Sequence, residues 1–179
     1  PPLIELQEAL EDPSNAIGMR MRAAYFLRQL YDDDVASQQV AIETLTAGLR
    51  DKAHGSLMRH EFAYVLGQIR DERCIATLHD ILQNTEDCVM VRHEAAEALG
   101  AIGAVDSLPI LKDVKSRDDS PVELADTCRL AIHLMEWQLS NADNREERVA
   151  CACMLNPYSS VDPAPAHPAH EHLSFTELG

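Results

Sequence analysis

The chain has 179 residues, with 30 Asp and Glu against 15 Lys and Arg, a net charge of −15. That balance, with no basic stripe, argues against nucleic acid and anionic membranes as partners and for a cationic one. Five scattered cysteines form neither a zinc-type pair nor a disulfide framework. With no secretory leader and no run of roughly 18 apolar residues, a cytoplasmic protein with reduced thiols is expected.

In chain order, residues 1–10 read as a short helix, and Asp12-Pro13-Ser14-Asn15 as a turn able to cap the next one. Met21, Ala24, Tyr25, Leu27 and Leu30 stand at helical spacing and predict a helix over residues 17–31. Asp32-Asp33-Asp34 breaks it and offers a negative N-cap to a helix over 35–49. The triplet lacks the spacing and glycine of a calcium loop, so it reads as a solvated cap. After a loop at 51–55 come helices at 56–69, 74–82, 89–102, 105–114 and 122–139. Gly103 is a C-cap, and Pro109 stands near a helix start, where proline is tolerated. Aromatic residues make up only 4%, and strand signals are absent.

One phrase is written twice. RHEFAYVLG from Arg59 recurs as RHEAAEALG from Arg92, so His60-Glu61 and His93-Glu94 lie 33 residues apart (93 − 60). At the same offset Ala63, Leu66, Gly67, Ile69, Leu78 and Asp80 recur as Ala96, Leu99, Gly100, Ile102, Leu111 and Asp113. A helical pattern with such a period predicts stacked helix pairs. Weaker copies flank it, with Met21-Arg22 and Ala125-Asp126 in the places of the His-Glu pair. The expected fold is an all-α, HEAT-like solenoid of about four helix pairs over residues 1–140. Its repeats fall at roughly 1–31, 35–69, 74–102 and 105–139, the outer ones acting as caps. Residues 141–179, with four of the nine prolines between Cys151 and His172, read as a linker or tail.

The His-Glu pairs do not sit on the core face. The apolar stripe of the first motif helix is Phe62, Val65, Leu66 and Ile69; His60 lies roughly 170° and Glu61 roughly 90° from its centre. His93 is likewise opposite Ala95, Ala98, Leu99 and Ile102. Ala63, Gly67, Ala96 and Gly100 are small and are expected to leave room beside the imidazoles. Equivalent helices of adjacent repeats stand about 8 to 10 Å apart, so two imidazoles can meet one ion. Glu61 or Glu94 would complete a set of two histidines and one carboxylate, which suits Fe(II) and O2 chemistry, although spacing leaves zinc and manganese open. The plain alternative is a duplicated surface, and it is disfavoured: Phe62/Ala95, Tyr64/Glu97 and Val65/Ala98 have diverged while the pair stayed. His54, His79 and His133 have no partner at ligand spacing; His167, His170 and His172 lie in the tail; Cys151 and Cys153 are given no role.

LMRHEFAYVLGQIRDERCIATL and VMVRHEAAEALGAIG resemble the deoxyhypusine hydroxylase family more closely than any generic HEAT-like repeat. ELADTCRLAIHLMEW is similar to its next repeat, and SSVDPAPAHP to the linker joining two halves. The resemblance implies two facing halves carrying four His-Glu pairs around a dinuclear iron centre. There O2 is used to hydroxylate the deoxyhypusine side chain of translation initiation factor 5A, the final step of hypusine formation. It places His60, Glu61, His93 and Glu94 among the iron ligands, with about one Fe(2+) for a half and two for the whole. It also implies that Gly67 and Met90 help seat the substrate side chain. Residues 175–179 read as the opening of a second homologous half, so turnover by this chain alone is left open. The competing readings are a non-enzymatic HEAT-repeat adaptor, which has no reason to keep His-Glu twice, and a zinc or manganese hydrolase, for which no HExxH is present.

Overall fold

The structure is a computed structural model that describes residues 2–33 and 35–140. Asp34 of the acidic triplet and the whole tail from 141, with its histidines and its Cys151-Ala-Cys153, lie outside the described residues. Within them are eight α-helices and no strand: α1 (Leu3–Glu11), α2 (Ile17–Leu30), α3 (Val35–Arg50), α4 (Gly55–Ile69), α5 (Ile75–Gln83), α6 (Val89–Ile102), α7 (Leu108–Ser116) and α8 (Val122–Ser140). They pack as α1 with α2, α3 with α4, α5 with α6 and α7 with α8. The pairs stack so that α2, α4, α6 and α8 form one row and α1, α3, α5 and α7 the other. This is the expected HEAT-like solenoid. No helix among the described residues is long and apolar enough to cross a membrane.

The helix boundaries follow local chemistry. The expected helices over 74–82 and 105–114 begin later, at Ile75 and Leu108, because a 3-10 turn leads into each, Glu72–Cys74 and Val105–Ser107. A third, Lys52–His54, precedes α4. The carboxylates of Asp51 and Asp71 accept from the backbone N–H of Ala53 and Arg73, satisfying donors that a helix start leaves open. α6 ends on Gly103 at φ 75°, and α4 ends at the same repeat position on Arg70, forced into the left-handed region at φ 60°. Carbonyls near the ends of α3 and α5 are also used: Arg59 Nε donates to the Leu49 carbonyl at 2.7 Å, and Arg92 Nε to that of Leu82 at 3.1 Å. Arg59 reaches further, with a bidentate pair to Asp87 at 2.6 Å per bond, both side chains under 5% exposed.

Because α4 and α6 have neighbours on both sides in their row, they bury more than one stripe. Phe62, Val65, Leu66 and Ile69 are buried, and so are Ala63, Gly67, Ala96 and Gly100. The expectation that these small residues leave room beside the imidazoles is therefore corrected. All four are buried, and Gly67 and Gly100 are where adjacent helices touch. A Cβ built at Gly67 would stand 2.9 Å from Ala98 Cα, and one at Gly100 3.0 Å from Ala131 Cβ. At Gly67 the backbone of the next helix stands too close for a side chain, and at Gly100 the fit is tight.

Candidate metal centre

The close approach of α4 and α6 brings the two motif histidines face to face. Their ring centroids are 5.4 Å apart with the planes at 45°. His60 Nε2 donates to Glu94 Oε2 at 2.9 Å, and that carboxylate is buried. One coordinating atom each of His60, His93 and Glu94 lies within 4.8 Å of the others, a group able to hold a cation. Two donors on one ion, each about 2.1 Å from it, stand roughly 3 to 4 Å apart, so small side-chain rotations close this set.

Glu61 is adjacent but turned aside. Its Oε1 lies 3.4 Å from His60 Nδ1, close enough for charge attraction. The alignment makes no hydrogen bond, however, and Nδ1 is buried without a partner. Its Oε2 accepts from the phenol of Tyr25 at 3.0 Å. Of the four expected ligands, the structure gathers His60, His93 and Glu94 and sets Glu61 beside them. Met90 is half-buried in the first turn of α6, one turn before the pair. Gly67 is packed on Ala98, and with Tyr64, Glu94, Glu97 and Ala101 it lines a shallow pocket next to the cluster.

The electrostatics distinguish the two imidazoles. The hydrogen bond to Glu94 raises the pKa of His60 against the opposing effect of burial. Burial lowers that of His93, with Glu94 pulling the other way. Burial and the bond to Glu61 push the Tyr25 phenol up to about 12, so at neutral pH it is a donor. Tyr25 and Tyr64 meet edge to face with centroids 6.2 Å apart. Sequence reasoning missed both tyrosines. A signal was present: Tyr25 stands as far from Met21 as Tyr64 from His60, the same phase one repeat earlier.

His54 and His79 are structural, and His133 on α8 is exposed. His54 Nδ1 lies 3.1 Å from Arg20 Nη1, with its ring edge-on to Phe62, and His79 Nε2 is 2.7 Å from Ser107 Oγ. In the last pair, Asp126 is engaged by Arg129 at 3.0 Å, so α8 brings no ligand to the cluster.

The donor set fits a metal on this chain's own evidence. Two imidazoles and a carboxylate converge, and a buried imidazole nitrogen is left without a protein partner.

Comparison with known proteins agrees with this architecture. A family described as HEAT repeats matches residues 42–127. The deoxyhypusine hydroxylase of Mus musculus is 43% identical over 88% of this chain and 47% of its own length. Those of Homo sapiens and Gibberella zeae are 42% and 33% identical, over 92% and 98% of this chain and 48% and 50% of their own lengths. The solved structure of human deoxyhypusine hydroxylase in complex with glycerol superposes with a TM-score of 0.73 at 39% identity, covering 94% of this chain and 52% of that one. The chain thus spans about half the length of the curated relatives it matches. With identity sustained along nearly the whole of it and the fold shared, the chain belongs to the deoxyhypusine hydroxylase family.

Proposed function

We propose that this chain supplies half of a non-haem iron centre that hydroxylates, with O2, the deoxyhypusine side chain of translation initiation factor 5A. His60, His93 and Glu94 are the ligands of one Fe(2+), with Glu61 completing the set from the side. The remaining ligands and the second ion come from a homologous second half, and the enzyme works in the cytoplasm. The observation that carries this reading is the three-donor cluster with its orphaned His60 Nδ1, in a chain 43% identical to a named hydroxylase.

Iron, when bound, supplies the activation of O2. The chain's residues place and prepare it. His60 Nε2 and Glu94 hold each other, and because that bond raises the pKa of His60, a cation must compete with a proton for the imidazole and binds more weakly as pH falls. Glu94, buried beside α4, fixes the depth of the site. Gly67 borders the pocket beside Glu94, and Met90 sits at the start of α6. The two stand toward opposite ends of α6, and each is proposed to meet a different part of the substrate's aliphatic side chain. The acidic balance of the chain favours the approach of a polyamine-like group.

The test is anaerobic loading with Fe(II), measuring metal per chain for the wild type and for His60→Ala with His93→Ala. Iron near one per chain, lost in the double variant, is expected. Hydroxylation should then require addition of the second half. Equal iron in both proteins would overturn the ligand assignment. Absence of hydroxylation with the second half added would overturn the activity.

A further inference from the structure

We propose that Tyr25 is a positioning residue for Glu61, so that the first helix pair, which carries no His-Glu phrase, still helps build the metal centre. The inference rests on the metal-centre reading above. Along the row of α2, α4 and α6, a motif glutamate is held by a donor from the preceding helix. Glu94 on α6 accepts from His60 on α4. Glu61 on α4 cannot be held in the same way by α2, because Met21 occupies the place of the histidine, and a thioether has no proton to donate.

Tyr25 fills that role from one turn further along α2. Its phenol donates to Glu61 Oε2 at 3.0 Å. Although Tyr25 is 42% exposed, its ring is braced edge-on by Tyr64. With Oε2 engaged, Oε1 is the oxygen that faces His60 Nδ1, at 3.4 Å. Glu61 therefore offers one oxygen toward the cluster in a fixed orientation. Without the phenol, a long side chain free to change rotamer would be able to swing away or to chelate through both oxygens.

The test uses Co(II) under anaerobic conditions as a spectroscopic stand-in for Fe(II), with the chain as it is. Tyr25→Phe keeps the ring and removes only the hydroxyl. Its expected effect is a roughly tenfold or greater loss of Co(II) affinity, in the range typical of lost outer partners of metal ligands. The visible absorption of the bound ion should change, while the thermal midpoint stays close to that of the wild type. In a Glu61→Ala background, Tyr25→Phe should add no further loss, because the tyrosine acts through that carboxylate. Wild-type affinity and spectrum in Tyr25→Phe would overturn the inference, as would an undiminished loss in the Glu61→Ala background. A wild type that takes up neither Co(II) nor Fe(II) would overturn the metal-centre reading as well. The two failures are distinguished by the wild type alone.

Discussion

Replacing Gly67 by alanine should reverse the usual sign of a glycine-to-alanine change in a helix. In an open helical position the exchange stabilises by up to about 1 kcal/mol. At Gly67 the new Cβ would stand 2.9 Å from Ala98 Cα and 3.1 Å from Ala98 Cβ. Comfortable carbon contacts begin near 3.5 Å, so the shortfall is about 0.6 Å, and the nearest obstacle is backbone that no rotamer change can move. α4 and α6 must separate, at a cost of about 1 to 3 kcal/mol, which leaves a net destabilisation of roughly 0 to 2 kcal/mol. The same displacement would stretch the 2.9 Å His60–Glu94 contact beyond hydrogen-bond range, so cation affinity should fall too. Two controls frame the measurement. Gly18→Ala has nothing within 4 Å and should be neutral or stabilising. Gly100→Ala meets Ala131 at 3.0 Å, between α6 and α8, and should lower stability while sparing the metal cluster. Urea unfolding followed by circular dichroism, with metal titration of each variant, reads both effects. If Gly67→Ala is stabilised as much as Gly18→Ala, the close-approach argument is wrong.

Asp87→Ala should cost about 3 to 5 kcal/mol by leaving the buried Arg59 guanidinium unpaired, whereas Arg59→Met with Asp87→Leu should cost much less. The pairing holds the Asp87 carboxyl below its ordinary 3.8. Its stabilisation is therefore present above that pH and lost as pH falls through the lower folded value, a loss that acid unfolding should show in the wild type and not in the double variant. His54 behaves differently: burial lowers its pKa below 6.5, so below that pH the unfolded chain binds more protons and stability falls. Denaturation midpoints between about pH 7 and 5 should fall less in His54→Gln, and an unchanged slope would remove His54 as a cause. Arg70→Gly should stabilise by roughly 0.5 to 1 kcal/mol in urea unfolding, since Arg70 holds a left-handed cap at φ 60° that Gly103 adopts freely one repeat later.

Much of the fold was legible because the repeat states it twice. The 33-residue offset located α4 and α6, and the stripe from Phe62 to Ile69 identified a buried face. Periodicity could not show that a helix in the middle of a row is packed on three sides. For that reason Ala63 and Gly67 looked like room for a ligand, whereas Ala63 is buried and Gly67 is a contact with Ala98. The 3-10 lead-ins were also hidden, because Asp51 and Asp71 fit a loop and a capped turn equally well. At the site, His60, His93 and Glu94 were recoverable from a phrase kept intact between diverged neighbours. The turning aside of Glu61 was not, because its cause is Tyr25, 36 residues away on a helix without the phrase.

The cluster belongs to an interface rather than to a repeat. His60 comes from one helix pair and His93 and Glu94 from the next, so no single repeat holds enough donors to bind an ion. In a solenoid each unit is stabilised by its immediate neighbours, and the chain remains folded if one interface loosens slightly. Metal binding is less tolerant, because ligand distances must be met within a few tenths of an ångström. The spacing of α4 and α6, set by Gly67 on Ala98, should therefore govern the site more strongly than it governs the fold. This explains how one repeat pattern yields ends without a donor cluster and a middle with one. The donor cluster requires two adjacent helices that both carry the phrase, and only α4 and α6 provide them among the described residues.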